Sequence, residues 1–106
     1  MIRFKSLEEK LRFLILEVEG QVKLTYRLLE EGNTESFEKI ASKNDYIENL
    51  KTVIENECFS KIHGSQVLCD NAINYIRSTH KIGVNLRRIA DFCLNIAQQT
   101  EYLGEL

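Results

Sequence analysis

The sequence predicts an all-α fold, an antiparallel up-down-up bundle of three long helices, and three observations predict it. Proline is absent from all 106 residues, so the strongest breaker of a helix interior is missing. Gly32 and Gly64 divide the chain into three long segments of helical periodicity. In the last segment Leu68, Tyr75, Ile82, Ile89, Ile96 and Leu103 recur every seven residues, a repeat that keeps one seam of a helix against its neighbours.

The first helix is expected over about 6–31. It opens on Ser6-Leu-Glu-Glu9, a capping box that satisfies two orphan backbone donors, and stops at Gly32. Its core stripe reads Leu7, Leu11, Leu14, Ile15, Val18, Val22 and Leu29. The second helix is expected over about 34–63, with Thr34 as N-cap and Gly64 as a left-handed C-cap. Its stripe is Phe37, Ile40, Ile47, Ile54, Cys58 and Ile62. The third opens at Ser65, is helical over about 66–103, and carries the seven-residue seam. Beside that seam lie Gly83, Ala90 and Ala97, small enough to admit a neighbouring helix closely. At ~1.5 Å per residue these are rods of about 40 to 57 Å, and their connections are too short for anything but antiparallel neighbours in a single domain, 1–106.

Phe13, Leu16, Leu24 and Leu28 fall largely off the first helix's stripe, with Gly20 between them. A helix that is apolar on two sides is buried on two sides, so these four residues predict a self-association surface and a homodimer.

Fourteen Lys and Arg against sixteen Asp and Glu give a net charge of −2 with both signs interspersed, which leaves no basic stripe for nucleic acid. The apolar run Phe13 to Leu16 is four residues long and is closed by Glu17, too short for a signal peptide or a membrane span. A cytoplasmic protein without direct membrane insertion is expected. Cys58, Cys69 and Cys93 are odd in number, lack CxxC spacing and have apolar neighbours, as suits reduced core thiols.

Metalloprotease, Walker, dinucleotide and nucleophile-elbow motifs are absent, and neither His63 nor His80 follows a Glu by three residues, as a di-iron bundle requires. His63 falls where a cation assists the end of a helix, and His80 reads as a residue on the bundle surface. Glu35 and Glu38 form an ExxE, half of the magnesium signature of all-α nucleotide pyrophosphohydrolases, but no ExxD accompanies it. Glu35 and Glu38 otherwise read as a first-turn acidic pair, with Lys39 in reach of Glu35. With no nucleophile, base and orienter in a recognisable arrangement, neither an enzyme nor a cofactor is expected.

The stretch Lys81-Ile-Gly-Val-Asn-Leu-Arg-Arg-Ile-Ala-Asp-Phe-Cys-Leu-Asn-Ile-Ala97 resembles the signature helix of PhoU-type proteins, K-I-x-x-D-L-E-R-I-G-D-x-x-x-N-I-A, through Leu86, Arg88, Ile89, Asp91, Asn95, Ile96 and Ala97. The turn at Glu31-Gly-Asn and the segment Ile40-Ala-Ser-Lys-Asn-Asp-Tyr-Ile-Glu-Asn-Leu50 are similar to that family's preceding helix. The resemblance implies a non-catalytic regulatory or scaffold module, cytoplasmic, that contacts a phosphate or ion transporter or its sensor kinase. Full members carry two three-helix repeats, and this chain has the length of one. The family's carboxylates can ligate metal clusters, but here Arg87 stands at the signature's Glu position, Asn85 at its earlier Asp, and Asn44 at the Asp of the second helix. Asp91, with Asp45 and Asp70 slightly out of register, is what remains of a metal-binding alternative. With Arg87 and Arg88 one turn before it, Asp91 is also placed for ion pairing within its helix.

Overall fold

A computed structural model describes residues 4–32, 34–64 and 67–104. Three helices account for nearly all of them, α1 (Lys5–Glu31), α2 (Thr34–Ile62) and α3 (Asp70–Gly104), and the described residues contain no strand. The molecule measures 58 × 21 × 16 Å, and every pair of helices is in contact. Along α1 and α2 the contacts run in opposite senses: Ser6 and Lys10 meet Glu57, Glu17 meets Lys43, and Gln21 meets Ile40. Along α2 and α3 they do the same, from Cys58 with Ile76 through Glu55 with His80 to Glu48 with Arg87.

The centre is built from one row per helix, each spaced by seven residues. Leu7, Leu14, Gln21 and Leu28 of α1 are fully or almost fully buried, as are Ile40, Ile47 and Ile54 of α2. From α3 come Ile76, Gly83, Ala90 and Ala97. Seven-residue spacing on all three helices is the geometry of left-handed bundles, in which each side chain enters a gap between neighbours. Gln21 interrupts the leucine row. Its amide Nε2 donates to the Ile40 carbonyl at 2.9 Å, tying α1 to the backbone of α2 between the cluster around Leu14 and Ile47 and the one around Leu28 and Ile40.

The sequence placed the α3 seam one residue out. Ile82, Ile89 and Ile96 are each 43% exposed and Leu103 more so, while the small residues beside them face the centre. The reason is volume: leucines from α1 and isoleucines from α2 already fill the space, so α3 approaches on its small row and turns its large row outward. The α1 stripe divides likewise, since Ile15, Val22 and Leu29 are exposed, whereas Leu7, Leu14 and Val18 are buried. On α2, Ile62 is exposed and Phe37 half-buried.

The helix ends differ from the expected ones in three places. Phe4, not Ser6, precedes α1, and it makes no side-chain cap; Ser6 lies inside the helix and its hydroxyl donates to Glu57 across the bundle at 3.1 Å. Gly32 is the left-handed cap of α1, with φ 64° and its N–H donating to the Leu28 carbonyl at 2.8 Å. Gly64 does not adopt a positive φ, the conformation that would make it such a cap for α2. α3 begins at Asp70, an acid in its first turn, and Val67 before it is 95% exposed. The expected opening at Ser65 and the first residue of the expected third helix, Gln66, lie outside the described residues. So does the capping role expected of the Thr34 side chain.

Gly83 was expected to permit close helix approach, yet a Cβ there would meet only the Ile54 Cγ2, at 3.9 Å, an ordinary contact. Glycine inside a helix costs about 0.5–1 kcal/mol relative to alanine. Gly83→Ala is therefore expected to stabilise the protein by about that amount in urea unfolding, with helical content unchanged, and a loss of stability would show that α1 or α2 presses closer on α3 than described.

Candidate functional site

Two features of the bundle could carry function, a charged ladder along the α2–α3 seam and an apolar strip along α1 and α3. The ladder is built by register. Spacings of three, four and seven residues return side chains to one helix face, so Asn44, Glu48, Lys51 and Glu55 of α2 look across at His80, Arg87 and Asp91 of α3. Arg87 is its centre: its guanidinium donates to the Glu48 carboxylate and to Asp91 one turn on in its own helix, and reaches the Asn44 amide oxygen at 3.4 Å. Lys51 then lies between Glu48 (3.3 Å) and Glu55 (2.9 Å), and Glu55 meets His80 Nε2 at 3.1 Å.

The charges alternate, and at Glu48, Lys51, Glu55 and Arg87 the neighbours favour the ionised form. Hydrogen bonding from Arg87 holds Glu48 below the ordinary carboxylate range, against the opposing effect of partial burial. Lys51 does the same for Glu55, and Glu55 in turn pushes the Lys51 ammonium up. Burial alone would lower Arg87, but Glu48 and Asp91 outweigh it and raise it. Two residues beyond Glu55, on the side of α2 that meets α1, burial would push Glu57 up, yet hydrogen bonds from Lys10 and Ser6 bring it down.

Asp91 is engaged by Arg87, Asp70 stands at the start of α3, ~31 Å from it along the helix, and Asp45 is exposed on α2. Among the described residues no group of three or more His, Cys, Asp or Glu could hold a metal ion. A guanidinium and an amide stand where a hard divalent cation would need anionic oxygens, so the residues present do not fit one. Glu35 pairs with Lys39 at 3.4 Å, and the open groove of about 360 Å³ lined by Glu35 and Glu38 also contains Lys39 and Lys43. That groove carries no second acidic pair.

Of the four residues expected to form a self-association face, the core takes Leu28 and part of Leu24, while Phe13 and Leu16 stay exposed. Leu28 is buried in the core at 1% exposure, and Leu24 packs against the Leu28–Ile40 cluster. Phe13 lies with its ring 6.3 Å from that of Tyr46 on the α2 side, and Leu16 points to solvent. The exposed apolar residues of α1 are divided, with Phe13 and Leu16 on one side and Ile15, Val22, Tyr26 and Leu29 on another. Beside them α3 exposes Ile82, Ile89, Phe92 and Ile96, and between the two helices runs an apolar-walled groove of about 330 Å³ bordered by Val22, Leu29, Ile89 and Ile96. Sequence reasoning missed this face because both of its rows had been assigned to the core.

The signature residues of α3 separate by depth rather than forming a pocket. Ala97 is buried, Leu86 and Asp91 are half-buried, and Arg88, Ile89, Asn95 and Ile96 are exposed. Cys58 and Cys93 are buried, with burial pushing the Cys58 thiol up, but Cys69 is exposed just before α3. His63 stacks on Phe59 with ring centroids 4.2 Å apart. No helix among the described residues is long and apolar enough to cross a membrane.

A family model described as PhoU domain matches residues 11–100. No curated protein and no solved structure matches the chain.

The ladder predicts an acid sensitivity whose sign follows from the shifts. Carboxylates held low when folded contribute stability above their unfolded-state pKa and lose that contribution as pH falls through the folded value. Unfolding midpoints should therefore be flat from neutrality to about pH 5 and fall below the ordinary carboxylate range. Arg87→Ala is expected to cost about 1–2 kcal/mol at neutral pH, discounted for solvent screening, and to flatten the acid slope. An unchanged slope in that variant would remove Arg87 as the source of the shift at Glu48.

Proposed function

The chain belongs to the PhoU domain family, and from that premise we propose that it is a non-catalytic regulatory or scaffold module that contacts a phosphate or ion transporter, or the sensor kinase coupled to one. The observation that carries this reading is the extent of the family match, which takes in most of α1, all of α2 and nearly all of α3. The reading places the chain in the cytoplasm, as an antiparallel up-down-up bundle that acts as a homodimer. Two copies would supply the six helices that two-repeat members of the family carry in one chain.

The chemistry of the ladder supports a non-catalytic role. Its acids and bases are matched to one another within and between α2 and α3, and that pairing orients the helices without leaving a base beside a nucleophile. Surface rather than a pocket is then what the module offers a partner.

Deleting the gene for this chain tests the reading in cells. Phosphate or ion uptake, or transcription under the coupled kinase, is expected to shift between phosphate-replete and phosphate-starved growth. Uptake and transcription indistinguishable from the parent strain in both conditions would contradict it.

A further inference from the structure

Ile15, Val22 and Leu29 on α1 are spaced by seven residues, and so are Ile82, Ile89, Ile96 and Leu103 on α3. Each of these residues is exposed, although the spacing is that of a packed seam. One groove is lined by Val22 and Leu29 from the first row and by Ile89 and Ile96 from the second, so the two rows border the same apolar surface. Tyr26 and Phe92 enlarge them.

We propose that the α1–α3 strip is the seat of a second copy of this chain, packed face to face about a two-fold axis lying in the plane of the strip. The proposal rests on the homodimer part of the functional reading and names its surface, which is not the set Phe13, Leu16, Leu24 and Leu28. Periodicity is the first argument. A seven-residue apolar row is the pattern by which one helix packs along another, and here two such rows have no helix of their own chain over them.

Area is the second argument. These nine side chains are each between 43 and 66% exposed. With large apolar side chains carrying about 200 Å² apiece, the strip offers on the order of 900 Å², against about 800 Å² per partner in a standard stable interface. A soluble monomer rarely leaves more than a few hundred Å² of contiguous apolar surface in water. Self-complementarity is the third. A two-fold axis in the strip sets apolar row on apolar row, and a net charge of only −2 per chain adds little repulsion between copies.

The test compares the wild-type chain, Val22→Glu/Ile89→Glu on the strip and Phe13→Glu/Leu16→Glu off it, by light scattering at high micromolar concentration with circular dichroism as the fold check. Wild type and the off-strip variant are expected at twice the 12.3 kDa chain mass, and the strip variant at the single-chain mass with its helicity intact. Should the double variant lose helicity, the single Phe92→Glu, at a position 66% exposed, answers the same question. A monomeric wild type overturns both the proposal and the homodimer reading. A dimeric wild type whose folded strip variants stay dimeric overturns the strip alone and leaves the homodimer reading standing.

Discussion

Where α3 faces the other two helices it presents Ile76, Gly83, Ala90 and Ala97, and the bulk of the core comes from the leucines of α1 and the isoleucines of α2. This asymmetry of size constrains the rest of the molecule. A helix that contributes little volume can sit close, and sitting close on its small row rotates its large row away from the centre by the ~100° that separates consecutive residues. The exposed strip is thus the other side of the packing that makes the core dense. A larger residue in place of the fully buried Ala90 or Ala97 would have to displace members of the clusters that these alanines share with Ile47 and Ile40.

Polar contacts then fix what apolar rows leave loose. Rows of Leu, Ile and Ala can slide by a heptad at modest cost, but Gln21 must find the Ile40 carbonyl and Arg87 must fall between Glu48 and Asp91. Sliding either pair breaks a buried or half-buried hydrogen bond, which is costlier than the bond itself is stabilising. In the α2–α3 seam Arg87 stands between Glu48 and Asp91, and the acids there hold the helices in register. The chain's distinctive surface is therefore apolar and lies on the opposite side, between α1 and α3.

Much of the fold could be read from the chain because helix signals are local. The absence of proline, the glycine at 32 and the seven-residue spacing act within one or two turns, and the all-α architecture and the Gly32 cap follow from them. Which of two adjacent rows turns inward is decided by the volumes contributed from other helices, so Ile89 was read as core and Ala90 as its accessory. Ser6 illustrates the same limit, since the pattern of a capping box was present but the hydroxyl found Glu57, 51 residues away. The Arg87–Asp91 pair was legible as an i,i+4 spacing, whereas Glu48 joined it only through the register of α2 on α3.

The orientation of α3 is the claim on which the others stand, and methyl-resolved nuclear Overhauser contacts in solution test it most directly. The Ala90 methyl is predicted to show contacts to Ile47 of α2, and the Ala97 methyl to Ile40, with none from Ile89 or Ile96 to either isoleucine. Strong contacts from Ile89 and Ile96 to Ile47 and Ile40, with Ala90 and Ala97 silent, would contradict the account, returning the large row to the core and leaving no strip to be covered.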